Sequence, residues 1–190
     1  MSIDTDLIYD VRRLVGKQVK ILPYARGYVP RDTLFRLWKT MEDDEIADFV
    51  FHSHLENGTP YKTAGDLVEF MKMFDPDAKR FLLIILSVEG DIILGATWFD
   101  DVIVKHKASM SIFMIKGHRG DTAAEAAKIS LDYAFNALDM KMIWAFTPWP
   151  HAVNLAKKVG FKPIATLPEI LPQQDGNKDM HILRIKREEF

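Results

Sequence analysis

The sequence contains no cysteine among its 190 residues. Disulfides, a cysteine nucleophile and thiolate metal sites are therefore excluded. The sequence also lacks a large excess of either charge: it has 25 Lys and Arg and 27 Asp and Glu, which gives a formal net charge of −2. Proteins that bind the phosphate backbone of nucleic acids usually carry a basic excess, so we predict no nucleic-acid partner.

Long apolar runs are also lacking. The most apolar run, Phe81 to Leu86, is far shorter than the ~20 residues of a membrane helix. The first ten residues, MSIDTDLIYD, are acidic and have no basic segment before an apolar one. We therefore predict no signal peptide, no membrane association and a cytoplasmic location. The histidines show no HExxH or similar spacing, so we predict no metal.

What is present is typical of a globular chain: 48% hydrophobic and 27% charged residues, in a length that suits one domain over 1–190. Apolar spacing predicts a strand, two or three helices, three strands, a helix, a strand, a helix and two strands. The predicted helices cover 34–41, 44–54, 67–74, 122–138 and 152–159, and the predicted strands cover 18–22, 81–88, 92–99, 109–115, 140–146, 161–166 and 181–186. This order predicts an α/β fold class, with a mixed sheet of about six to seven strands and helices on both faces.

Several local features carry more specific predictions. Asp100 and Asp101 are predicted to begin a connection after the third strand, at the far end of the sheet. The strand over 140–146 is a nearly continuous apolar run, which predicts burial on both faces. The aromatic side chains of this part of the chain are predicted to be core residues: Trp98, Trp144 and Phe146.

The most informative segment is a glycine-containing loop between the strand over 109–115 and the next helix. Thr122 and Glu125 have the spacing of a capping box, which predicts a well-defined helix start. Free N–H groups at a helix N-terminus favour an anion such as pyrophosphate, and Arg119 adds positive charge beside them. From the loop alone, a capped crossover with a surface arginine is an equally good interpretation.

The stretch Arg119 to Ala124 resembles the Arg-Gly-x-Gly-x-Gly turn of the GNAT superfamily, the GCN5-related N-acetyltransferases. Arg119, Gly120 and Ala124 match, whereas Thr122 stands where the family usually has glycine. The order of predicted elements also matches the family over most of the chain.

A second resemblance lies in Asn154 to Phe161, which is similar to the family's Leu-Tyr-x-Lys-x-Gly-Phe segment. Lys158, Gly160 and Phe161 match, but Ala156 stands where a tyrosine is common. That tyrosine protonates the departing thiolate, and alanine cannot. A thiol of pKa ~8.5 can leave without much help, so the loss is tolerable.

The resemblance implies that acetyl-CoA is the acyl donor and that an amine attacks its thioester directly. It also implies that the fourth and fifth strands splay and admit the pantetheine arm. The implied cofactor-binding residues are Phe113, Met114, Ile115, Lys116, Arg119, Gly120, Asp121, Thr122, Ala123, Ala124 and Asn154.

The acceptor amine must lose a proton before it attacks, because its pKa is near ~10.4. The fourth strand offers no Asp or Glu for this step, so a base must come from elsewhere, act through water or be missing. His181, at the start of the last strand, is the candidate proton acceptor, and a surface histidine is the simpler interpretation. Trp149 is a candidate acceptor-binding residue or a loop anchor.

The main hypothesis is thus an N-acetyltransferase that acts on a small-molecule or peptide amine. The alternative is a GNAT-fold binding or structural protein that has lost catalysis and belongs to a larger assembly. A third interpretation is a nucleotide-binding module. Exposed strand edges allow a homodimer.

Overall fold

The computed structural model describes residues 10–24, 36, 37, 39, 80–171 and 177–190. Its sheet has seven strands in the order β1-β2-β3-β4-β5-β7-β6. Neighbouring strands are antiparallel except β4 and β5, which are parallel. The strands are β1 (Val19–Pro23), β2 (Phe81–Ser87), β3 (Ile93–Ile103), β4 (Lys107–Met114), β5 (Met142–Thr147), β6 (Lys162–Leu171) and β7 (Lys178–Lys186).

Two α-helices follow the parallel strands, α1 (Asp121–Asn136) after β4 and α2 (Pro150–Lys158) after β5. Short 3-10 helices cover Val11–Leu14 and Arg187–Glu189. The predicted α/β class and strand count are therefore confirmed. The predicted helices over 44–54 and 67–74 lie outside the described residues, and of the one over 34–41 only residues 36, 37 and 39 are described, all helical. Among the described helices, none has both the length and the apolar character that crossing a membrane requires.

Helix α1 packs closely on the sheet because its inward face is built from small side chains. Its buried residues are Ala123, Ala124, Ala126, Ala127, Ser130, Leu131, Ala134 and Phe135. Polar groups in this interface are paired: the Ser130 hydroxyl lies 3.2 Å from the Thr97 hydroxyl of β3 and 2.8 Å from the Ala126 carbonyl. We call the face of the sheet that α1 covers the first face. The face on the other side of the sheet is the second face.

The prediction that Asp100 and Asp101 begin a connection after the third strand is wrong. Both lie inside β3, which continues to Ile103, and Asp100 pairs with Ser109 of β4. A register shift follows Asp100, and Asp101 has a positive φ of 51°, as a bulged strand allows. The chain reverses later, where the His106 N–H donates to the Ile103 carbonyl at 2.9 Å.

The prediction that the fifth strand is buried on both faces is also wrong. Ile143 is fully buried, but Phe146 is 51% exposed and Trp144 is partly exposed. Of the three predicted core aromatics, Trp98 alone is buried. The reason is that β5 loses its β4 neighbour beyond Trp144, which leaves the second face of β5 partly open.

Strand β6 forms one edge of the sheet. It pairs with β7 on one side and has no strand on the other among the described residues. Pro163 and Pro168 lie within β6. Proline lacks an N–H for the ladder, so it is tolerated at such an edge.

Candidate functional site

A gap opens between the two parallel strands of the sheet. β4 and β5 pair at Lys107 with Met142, at Ala108 with Ile143 and at Ser109 with Trp144. Beyond that point β4 continues along β3 to Met114, and β5 continues along β7 to Thr147. The two strands therefore diverge from a closed end at Ser109, as the predicted splay requires.

The backbone of β4 presents polar groups to this gap. The Ile115 N–H donates to the Leu94 carbonyl at 2.8 Å, so Ile115 bonds toward β3. Because bonding alternates along an antiparallel pair, Phe113 also bonds toward β3, whereas Ile112 and Met114 direct their N–H and C=O groups into the gap. An extended ligand arm with amide groups could pair with these groups.

The open end of the gap leads to the loop after β4. Gly117 has a φ of 94° and Gly120 a φ of 76°, and a Cβ at either position would meet no atom within 4 Å. Conformation, and not crowding, therefore favours glycine in this loop. Lys116 and Arg119 are exposed on it.

The start of α1 differs from the predicted capping box. Gly120 is the N-cap and no side chain caps the helix. The Thr122 hydroxyl donates instead to Gln18 Oε1 at 2.8 Å, and the Glu125 carboxylate accepts from the Lys17 and Gln18 N–H groups. The box does not form because these partners take both side chains, and the N-cap is Gly120, two residues before Thr122, which places Thr122 inside the first turn.

The absence of a side-chain cap leaves the first turn of α1 with unused donors. The first intrahelical bond runs from the Ala124 N–H to the Gly120 carbonyl at 3.1 Å. The three N–H groups before it, those of Asp121, Thr122 and Ala123, have no acceptor within the helix. Together with the helix dipole, these N–H groups make the helix start electrostatically favourable for an anion.

Charged side chains flank this helix start. Asp121 is ion-paired with Lys158 at the end of α2. The hydrogen bond from Lys158, and to a smaller extent its positive charge, holds the pKa of Asp121 below its ordinary value. An open cleft of about 340 Å³ lies alongside, lined by Gly16, Asp121, Ala124, Glu125, Lys128, Ile129 and Lys158. The cleft therefore runs along the first turns of α1, beside the loop.

The remaining predicted residues lie further from the loop. Asn154 is exposed on α2, and Ala156 is buried against the core. Trp149 precedes α2, stacks on His151 with ring centres 6.3 Å apart, and has Lys178 Nζ 4.4 Å from its ring centre. Trp149 therefore sits at the end of β5, near the open end of the gap.

His181 pairs with Thr147, the last residue of β5, and its Nδ1 lies 3.1 Å from the Thr166 hydroxyl. It shares the first face of the sheet with Leu183 and Ile185. At about 3.3 Å per residue, Thr147 is roughly 10 Å from Trp144 and the closed end of the gap.

Carboxylates lie at that closed end, which sequence reasoning missed. The Ser109 hydroxyl is 3.2 Å from the Asp100 carbonyl and 3.4 Å from Asp101 Oδ2, and Asp100 is ion-paired with Arg80 at 2.6 Å. No pattern within either strand signals this arrangement, because it depends on the β3–β4 register. In the described part of the chain, no three His, Asp or Glu side chains are grouped as ligands of one metal ion.

No protein-family model matches the sequence, and no curated protein matches it either. Solved structures do resemble the fold. A GNAT-family acetyltransferase from Bacillus anthracis superposes with a TM-score of 0.70 at 17% identity, over 93% of this chain and 99% of that one. Spermidine N-acetyltransferase from Vibrio cholerae, in complex with CoA and spermine, gives 0.73 at 18% identity, over 89% and 96%.

A dodecameric form of the Vibrio cholerae enzyme gives a TM-score of 0.69 at 18% identity, over 90% of this chain and 95% of that one. At these identities the likeness establishes architecture and not activity. The predicted resemblance is confirmed at that level: the chain has the fold of the GNAT acetyltransferases.

Proposed function

We propose that the protein is an N-acetyltransferase that transfers the acetyl group of acetyl-CoA to an amine. The observation that carries the proposal is the gap between β4 and β5, whose open end leads directly to an uncapped helix N-terminus. A diphosphate ester with a long amide-containing arm complements both features. The CoA complex of the Vibrio cholerae neighbour supports the same donor.

In this proposal the N–H groups of Arg119 to Ala124 cradle the diphosphate, with Arg119 adding charge. Lys158 exchanges Asp121 for a phosphate oxygen when the donor binds, and the cleft along α1 accommodates the part of the donor beyond the diphosphate. Asn154 lies on the helix that supplies Lys158. The arm extends along Met114 and Ile112 toward the closed end of the gap.

The chemical step is attack of a neutral amine on the thioester carbonyl. The C–N bond forms, the C–S bond breaks, the thiolate leaves, and the ammonium proton passes to a base. We propose two candidates for that base: His181, whose ring is positioned by Thr166, and Asp101 beside Ser109 at the closed end. Whichever residue is the base, the amine must be neutral when it attacks.

The first test is calorimetry with acetyl-CoA, followed by thiol release with a panel of amines. We expect saturable one-site binding, a rise in melting temperature and amine-dependent release of CoA thiol. No binding at millimolar acetyl-CoA would contradict the proposal. Binding without thiol release from any amine would favour the alternative, a GNAT-fold binding or assembly protein, with which the buried Ala156 in place of tyrosine is compatible.

The two candidate bases are separated in the same assay by His181→Gln and Asp101→Asn. Loss of the base typically lowers kcat by 10²–10⁴-fold. We expect one of the two variants to show such a loss with unchanged acetyl-CoA affinity. Wild-type kcat in both variants would contradict both assignments.

Self-association is a separate proposal. The edge strand β6 exposes Ile164, Leu167 and Ile170 to solvent, and a Vibrio cholerae neighbour is dodecameric. We propose a homodimer, and sedimentation equilibrium tests it.

A further inference from the structure

A row of four side chains crosses the second face of the sheet at the closed end of the gap. The strand register places Asp100 beside Ser109, Ser109 beside Trp144, and Trp144 beside Arg184. Residues directly opposite one another on neighbouring strands project from the same face. This row therefore lies where an acceptor would meet a thioester held in the gap, on the face opposite α1.

Arg184 is the unusual member of the row. Its Nε is buried, and among the described residues no oxygen accepts a hydrogen bond from it. Its guanidinium carbon lies 5.9 Å from the centre of the Trp144 ring. Glu189 lies close enough to Arg184 for their charges to interact, but its carboxylate is hydrogen-bonded elsewhere, 2.8 Å from Lys162 Nζ and 3.1 Å from the Lys186 N–H.

An unsatisfied buried donor on a cation is costly unless something pairs with it. Arg187 also has a buried Nε without an acceptor, but its Nη1 lies 2.7 Å from Asp139, which balances its charge. No carboxylate of the described residues makes an ion pair with Arg184. Its position in the row therefore fits an anion supplied by a ligand.

An aromatic surface adjoins Arg184. The rings of Trp144 and Phe146 are stacked, with centres 6.4 Å apart and planes 17° apart, and Phe146 is 51% exposed. At the other end of the row, Asp101 lies 3.4 Å from the Ser109 hydroxyl. The face thus presents a negative end at the gap, an apolar middle and a positive end at Arg184.

From this arrangement we infer that the acceptor is an amine that also carries a carboxylate and an apolar side chain, as an apolar amino acid does. Its amine faces the gap near Asp101, its side chain lies on Trp144 and Phe146, and its carboxylate pairs with Arg184. The inference rests on the proposed function and names its substrate class. A polyamine fits this face poorly, because it brings no anion to Arg184 and adds positive charge beside it.

The test compares phenylalanine, phenylalaninamide and spermidine as acceptors, with saturating acetyl-CoA and thiol release as the readout. We expect kcat/KM for the acid to exceed that for the amide by about tenfold or more, the range of a hydrogen bond to a charged group. Arg184→Gln should reduce this ratio to about one without changing the affinity for acetyl-CoA. Arg184→Lys, which keeps the charge, should retain part of the ratio.

Lys141→Gln is the matched control, because it removes the same charge at an exposed residue outside the row, and it should leave the ratio unchanged. Three outcomes would each overturn the inference. One is a higher kcat/KM for spermidine than for phenylalanine, and another is an undiminished acid-to-amide ratio in Arg184→Gln. The third is no turnover of phenylalanine by protein that binds acetyl-CoA. Failure to bind acetyl-CoA would instead refute the proposed function. Arg184→Lys keeps the test valid if Arg184→Gln proves unstable.

Discussion

Replacement of Arg119 by glutamate is expected to weaken acetyl-CoA binding at least a hundredfold. Arg119 is exposed on the loop between β4 and α1, immediately before the N-cap Gly120. Hydrogen bonds to charged groups contribute about 1.5–3 kcal/mol, and the substitution removes such a donor while placing a negative charge against the diphosphate. Calorimetry at low ionic strength measures the effect, since screening by salt reduces it.

The control for this prediction is Lys141→Glu, which makes the same change in net charge at an exposed residue just before β5. It should leave the affinity within about twofold of wild type. Both variants should melt at the wild-type temperature without ligand, since both side chains are exposed. An unchanged affinity in Arg119→Glu would mean that the diphosphate binds elsewhere.

Much of this part of the molecule is predictable from sequence because local patterns determine it. Gly117 and Gly120 mark a loop, and the alanines that follow form the buried face of α1. The predicted strand over 109–115 and the observed β4 differ by two residues at one end and one at the other. Such features depend on near neighbours in the chain, so propensity and spacing suffice.

The capping box failed for a reason that spacing cannot reveal. Thr122 and Glu125 have the correct separation, but tertiary partners compete for both side chains: Gln18 takes the Thr122 hydroxyl, and the N–H groups of Lys17 and Gln18 take the Glu125 carboxylate. The consequence is that the first N–H groups of the helix keep no side-chain acceptor, and the proposed diphosphate site makes use of these donors.

The row on the second face was not predictable for a related reason. Asp100, Ser109, Trp144 and Arg184 are separated by up to 84 positions in the chain, and three strand registers bring them together. One signal was available: Arg184 interrupts the apolar residues Leu183 and Ile185 in the last strand. Alternation places it on the opposite face from those two, but only the register shows which side chains share that face.

Replacement of Gly95 by alanine is expected to destabilise the protein strongly, because the added methyl group has no room between β3 and β4. Gly95 of β3 lies opposite Met114, the last residue of β4. A Cβ on Gly95 would overlap the Phe113 carbonyl oxygen and lie 3.1 Å from the Met114 Cα. Both are backbone atoms of a paired strand, so they cannot rotate away, and β3 and β4 must separate.

We expect a loss of about 3 kcal/mol in the free energy of unfolding, the upper part of the usual range for overpacking. Urea unfolding measures it, and the melting temperature should fall by roughly 10 °C. Gly117→Ala is the matched control: a Cβ there meets no atom within 4 Å, so its cost of about 1 kcal/mol comes from the positive φ alone. Equal stability of the two variants would contradict the predicted clash. Because Met114 also directs its backbone groups into the gap, Gly95→Ala should weaken acetyl-CoA binding even in the fraction that stays folded.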